Sequence, residues 1–204
     1  MADAYMECPV PGGGSRSVRI SSPDRVLWPA EGITKLELAT YIRDVGAALL
    51  ERIGGRPVTL QRFPTGIDGE EFYSKNPPRG VPEYVRTVVM TYPSGRKHPQ
   101  LVIDEVATAV WAVQMNTITL HPWPVTVGED PGLVDRPDEV RLDLDPQPGR
   151  DFADVRVAAH ALREVMAEAG LTGFVKTSGN RGVHVFAPVE PEFEFLDVRH
   201  GVIA

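Results

Sequence analysis

The first sustained pattern in the chain begins at Thr34, after which Leu36, Leu38, Ala39, Ile42, Val45, Leu49 and Leu50 recur at the spacing of one helical face. Thr34 with Glu37 three residues on forms a capping box, so the spacing predicts a helix that opens there and closes at Gly54-Gly55. The period then changes to two. PVTLQRF (57–63), EEFYSK (70–75), EYVRTVVM (83–90) and QLVI (100–103) predict short strands of a meandering sheet broken by proline and glycine. DEVATAVWAVQM (104–115) predicts a second helix with an acidic first turn, and TITLHPW (117–123) another strand. EVRLDLD (139–145) alternates as a strand, and Asp151 caps an amphipathic helix running to about Ala169 before Gly170. GFVKTS (173–178) and VHVFAPV (183–189) then predict two strands joined by GNRG, a hairpin turn. The final FLDVRHGVIA has the pattern of an opening helix.

These elements predict an α/β (α+β) fold, a mixed or largely antiparallel central sheet flanked by helices. Residues 1–17, with PVPGGGS and little to pack, predict a flexible leader, and residues 18–204 a single domain. The proline-rich GEDPGLVDRP (128–137) has the composition of a hinge, but its neighbours read as strands of one sheet. A single cysteine, Cys8, excludes an internal disulfide framework and a cysteine-based zinc site. The N-terminus carries Asp3 and Glu7 where a signal peptide needs a basic region and an apolar run, and no apolar run is long enough to cross a bilayer. The expectation is a cytoplasmic protein without a membrane partner.

The net charge of −7 argues at first against phosphate ligands, yet it is unevenly spread. Residues 16–97 hold 13 Lys or Arg against 9 Asp or Glu, and residues 98–204 hold 8 against 17. The first part could meet phosphate and the second could hold metal, although ordinary solvated surfaces explain the same asymmetry.

Three short stretches carry candidate chemistry. In a strand over 139–145, Asp143 and Asp145 leave on one face while Leu142 and Leu144 leave on the other. Two ionised carboxylates held side by side repel unless they share a cation, so the pair is a candidate metal site. Pro146 and Pro148 end the strand just past it, where open α/β sheets commonly bind ligands. Asp-x-Asp by itself is shared by nucleases, glycosyltransferases and polymerases. The second stretch is KTSGNRGVHV (176–185): Ser178, Gly179 and Gly182 allow backbone N–H groups near an anion, and Arg181 adds a charged fork, with Lys176 and His184 on the flanking strands. A plain hairpin turn explains the same glycines. The third is His121 in LHPW, between apolar neighbours.

Taken together, LHPW, DLDP and KTSGNRGVHV resemble the polymerase domain of bacterial DNA ligase D and its stand-alone relatives, members of the archaeo-eukaryotic primase superfamily acting in non-homologous end joining. SSPDRVLWPAEGITKLELATYI (21–42) and RPVTLQRFPTGIDGEEFYSKNPPRGVPEYVRTV (56–88) extend the resemblance in order and spacing. It implies a template-directed nucleotidyl transferase using manganese or magnesium, with ribo- or deoxyribonucleoside triphosphates as substrates and DNA with 5′-phosphorylated gaps or ends as partner. An end-joining ligase and end-binding proteins are further implied partners, in the bacterial cytosol or nucleoid. Asp143 and Asp145 are implied as metal ligands. Lys176, Ser178, Arg181 and His184 are implied to hold the nucleotide, with His121 near it. Arg25 and Lys35 are implied to capture the 5′-phosphate, and Phe72 and Tyr73 to stack on the template, a contact every base can make. The family pattern also includes a third metal-binding aspartate in a later strand, so this chain is expected to lack the C-terminal part of the domain. The alternative function is a non-catalytic binder of nucleotides or of 5′-phosphorylated ends. A metal-dependent nuclease, a more distant reading, leaves Arg25 and Lys35 without a purpose.

Overall fold

The stretch predicted to be a flexible leader forms the first hairpin of the fold. β1 (Ala4–Pro9) pairs antiparallel with β2 (Ser15–Ile20), from Ala4 opposite Ile20 to Pro9 opposite Ser15. Strand alternation puts Met6, Cys8, Val18 and Ile20 on one buried face. The glycines that suggested disorder make the turn: Gly12, Gly13 and Gly14 all have positive φ, a region closed to most side chains. The computed structural model describes residues 2–92, 95–128 and 134–203, and the chain divides into two compact units, residues 1–131 and 132–204.

In the first unit, β3 (Val26–Trp28) and β4 (Ile33–Thr34) form a small ribbon that leads into α1 (Lys35–Asp44). The predicted capping box is present: Thr34 Oγ1 accepts from the Glu37 amide, and Glu37 accepts from the Thr34 amide. Such a cap contributes about 1 kcal/mol to the helix. The predicted single helix is broken at Val45, and α2 (Gly46–Ile53) follows. The cause is tertiary, because Gly46 lies directly against Val106, where a Cβ would stand 2.6 Å from a valine methyl. Val106 opens α3 (Val106–Gln114), whose residues Val106 to Val113 are all buried between α1, α2 and the β1–β2 hairpin. Its predicted acidic first turn lies just outside the helix: Asp104 pairs with Arg86, and Glu105 with Arg16.

The sheet of this unit is antiparallel throughout. β5 (Pro57–Arg62) is paired along one edge by β6 (Phe72–Ser74) and β8 (Lys97–Val102) and along the other by β9 (Thr117–Pro122), while β7 (Thr87–Thr91) pairs with β8. The strand predicted over 83–90 begins four residues late, because Val85 closes a turn on Pro82 and Arg86 is turned toward Asp104 and the Val127 carbonyl.

The second unit is a three-stranded antiparallel sheet in the order β10 (Glu139–Leu144), β12 (Val183–Pro188), β11 (Phe174–Thr177). α4 (Phe152–Glu168), capped by Asp151 as predicted, packs Leu162 and Met166 toward Val140, Val185 and Ala187 and also buries Val155; α5 (Phe195–Ile203) completes the unit. The expectation that 128–137 joins strands of one sheet is corrected, since β9 and β10 belong to different sheets in different units. Period-two patterning identifies a strand but not its partner, which is set by long-range pairing. Residues 129–133 of that stretch lie outside the described residues.

Candidate functional site

The implied end-binding residues all lie in the first unit. Lys35 occupies the first position of α1, where the helix dipole disfavours a cation, and is only 3% exposed. Its Nζ donates to the Ser21 carbonyl at 3.0 Å. Burial, and then the positive charges of Arg25 and Arg19, push the Lys35 ammonium down to about 8. Arg25 donates to the Pro64 carbonyl. Among the described residues neither Lys35 nor Arg25 has a carboxylate within ion-pair distance. Gln114, at the end of α3, locks the turn that holds Lys35: its Oε1 accepts from the Ser21 amide and its Nε2 donates to Ser21 Oγ, both at 2.7 Å. Ser22, next in that turn, has φ of 49°. Two cations held by carbonyls and unneutralised by acids form a site that favours an anion.

Phe72 and Tyr73 are both exposed and leave β6 on opposite faces. Phe72 lies opposite Arg62 in the register, and the Arg62 guanidinium sits 4.8 Å from the ring centre while its Nε donates to the Met115 carbonyl. Tyr73 lies opposite Gln61, with its ring 5.4 Å from that of His121. His121 is exposed at the surface of β9, and its Nε2 is 2.8 Å from Gln61 Oε1. Its chain neighbours Leu120 and Pro122 alternate to the other face of the strand.

In the second unit, most of the residues implied for metal and nucleotide fall into two rows, the first set by the strand register and the second by the contacts of the turn just beyond it. Asp143 on β10 faces His184 on β12, which faces Lys176 on β11. Directly opposed side chains share a face, so these three form one row across the sheet, on the side away from the apolar contacts of Leu142, Leu144 and Val185. His184 Nε2 stands 3.5 Å from Asp143 Oδ1. The second row is Asp145, Gly182 and Ser178. Asp145 Oδ1 sits over Gly182 so closely that a Cβ at residue 182 would overlap it and the Leu144 carbonyl. Ser178 donates its amide to the Gly182 carbonyl, while its Oγ accepts from the amides of Asn180 and Gly182. With both acceptor positions of that hydroxyl engaged, its proton is left to donate outward. The turn amides expected to approach an anion are thus partly turned inward, and the hydroxyl takes their place. Arg181 is exposed at the tip of the turn. Asp143 and Asp145 also line a cleft of about 460 Å³ with Pro146, Arg150 and Asp154.

Asp143 and Asp145 are both exposed, and no cluster of three or more His, Cys, Asp or Glu is arranged around a metal position among the described residues. Two adjacent carboxylates open to water match a hard divalent ion that keeps several waters and takes further oxygens from phosphate. Gly182→Ala is expected to force the Asp145 carboxylate and the Leu144 carbonyl away from residue 182 and to lower stability by about 1–3 kcal/mol, the usual cost of overpacking. Denaturant unfolding of the variant measures this directly, and unchanged stability would show that the strand accommodates the methyl group at no cost.

The family model described as "LigD, primase-polymerase domain" matches residues 34–203. This chain belongs to the LigD primase-polymerase domain family. The multifunctional non-homologous end joining protein LigD of Pseudomonas aeruginosa is 36% identical over 193 residues, covering 92% of this chain and 22% of that protein. The LigD proteins of Mycobacterium tuberculosis and Bacillus subtilis are 31% and 29% identical over 178 and 183 residues, covering 85% and 89% of this chain. A solved structure, the polymerase domain of Mycobacterium tuberculosis ligase D in complex with DNA, matches with a TM-score of 0.77 at 29% identity, covering 85% of this chain and 61% of that one. The chain therefore spans about a quarter of the length of the curated LigD relatives. The expected α/β fold with antiparallel sheets flanked by helices agrees with the LigD polymerase domain. Sequence reasoning had not singled out Gln61, Arg62, Glu71 or Gln114. Arg62 could have been found by pairing QRF with FYS as an antiparallel hairpin, whereas Gln114 acts across 93 residues of chain and left no local signal.

Proposed function

We propose that this chain is a template-directed nucleotidyl transferase of the end-joining polymerase family, adding ribo- or deoxyribonucleotides at gaps or breaks that carry a 5′-phosphate. The observation that carries this reading is the pair of rows in the second unit, where a carboxylate pair meets His184, Lys176 and the outward Ser178 hydroxyl on one sheet. Asp143 and Asp145 would hold divalent cations, manganese or magnesium, which would supply the charge neutralisation that a two-metal nucleotidyl transfer requires. Ser178 donates its hydroxyl proton to a phosphate oxygen of the incoming nucleotide. Lys176 and Arg181 attract the triphosphate electrostatically, and His184 orients the Asp143 carboxylate. Arg25 and Lys35 hold the 5′-phosphate, fixing the register of the break, and Phe72 and Tyr73 offer aromatic faces to template bases. Catalysis then depends mainly on positioning and preorganised charge. The DNA complex formed by the Mycobacterium tuberculosis polymerase domain supports the same partner here.

The test is manganese-dependent addition of one templated ribonucleotide to a gapped duplex, with and without a 5′-phosphate on the downstream strand. Addition that depends on both metal and phosphate is the expected result. Phosphate-dependent DNA binding without addition would replace this reading with that of a non-catalytic end binder.

A further inference from the structure

Glu71, Gln61 and His121 form a line of hydrogen bonds whose direction follows from the donors and acceptors available. Gln61 Nε2 is 2.5 Å from Glu71 Oε2, and Gln61 Oε1 is 2.8 Å from His121 Nε2. A carboxylate can only accept, so the amide NH2 must face Glu71. That places the amide oxygen against the imidazole; because this oxygen also only accepts, Nε2 must carry the proton.

We propose that Glu71 and Gln61 are positioning residues that hold His121 as the Nε2–H tautomer in a fixed ring orientation. The device spans three strands: Glu71 immediately precedes β6, Gln61 is on the central β5, and His121 is on β9. Tyr73, opposite Gln61 in the register, braces the imidazole with its own ring at a tilt of 52°. The proposal rests on the polymerase reading for what His121 is used for.

The experiment is long-range ¹H–¹⁵N NMR on the full chain labelled at its five histidines, at a pH where the ring is neutral, with His121→Gln identifying the resonance. The native chain is expected to show the Nε2–H pattern. In Glu71→Gln, residue 71 can donate or accept, so the Gln61 amide is free to turn and a mixture of both tautomers is expected. Combining Gln61→Glu with Glu71→Gln restores an obligate acceptor beside Nε2 and is expected to restore the single form. In nucleotide addition, Glu71→Gln is expected to raise KM for the incoming nucleotide about threefold to tenfold. A native Nδ1–H pattern, or a Glu71→Gln spectrum unchanged from native, overturns the proposal; if the variant fails to fold, the native spectrum alone decides. Absence of any nucleotide addition by the native chain would count against the polymerase reading, while the spectrum still decides the tautomer.

Discussion

Replacing Asp143 with alanine is expected to lower manganese-dependent nucleotide addition by at least about a thousandfold, the loss of several kcal/mol of charge stabilisation, while binding to 5′-phosphorylated ends stays within about twofold. Asp143 is the carboxylate end of the row that continues through His184 and Lys176. Its side chain is 65% exposed and takes part in no buried network, so its removal costs the fold little. A fall in thermal stability therefore does not explain the loss. The residues assigned to the 5′-phosphate lie in the other unit and keep their own contacts to Ser21 and Pro64. Gap-filling rates and phosphate-dependent affinities measured on one preparation separate these effects. Loss of both in Asp143→Ala would refute the division of labour between the units.

The second large effect concerns pH. Preference for a 5′-phosphorylated over an unphosphorylated end is expected to weaken as pH rises above about 8, by up to tenfold per pH unit, because Lys35 loses its proton there. A bound phosphate dianion favours the ammonium, so above that pH the complex takes up a proton that the free protein has released. The stability of the free protein moves the other way. Lys35 is held below its unfolded value, so between about 8 and the ordinary lysine range the unfolded chain binds more protons and stability rises with pH. Lys35→Met should reduce the preference about tenfold to a hundredfold, the usual worth of a charge-assisted hydrogen bond, and abolish both pH slopes. Adding Arg25→Ala should flatten the salt dependence further. Affinity measured by anisotropy from pH 7 to 10 provides the check, and a preference that holds constant across that range would remove Lys35 from the phosphate site.

Most of the fold was legible where the signal is local. Thr34 with Glu37, and Asp151 before its helix, state their caps within four residues, and both caps are formed. The alternation in EVRLDLD and VHVFAPV set the faces correctly, so the shared side of Asp143 and Asp145 could be read before any pairing was known. The leader was misread because the alternation of Met6, Cys8, Val18 and Ile20 is interrupted by three consecutive glycines, which look like disorder until the pairing of the two strands makes them a turn. The break at Val45 was hidden because it depends on Gly46 meeting Val106, which is 60 residues away. For the site, the residue types suggested the proposed chemistry, but nothing local in the sequence showed what holds those residues in place. A glycine in SGNRG reads as a turn residue, and only the β10–β12 register shows Gly182 making room for Asp145. Glutamine in a strand has no chemical meaning until its two ends are seen against Glu71 and His121.

The hairpin that opens the chain also supplies a reporter of its own motion. Cys8 is the only cysteine, it is fully buried within β1, and burial pushes its thiol up to about 11, so a thiol reagent finds neither access nor thiolate while the hairpin is seated. Modification then requires β1 to lift away from α3, by local opening or global unfolding, and its rate follows the opening equilibrium when reclosing is fast and the opening rate when the reagent outpaces reclosing. The unmodified protein thus carries a clock for the loosening of its core. The same clock can be read with nucleotide, metal or DNA present, without introducing a label.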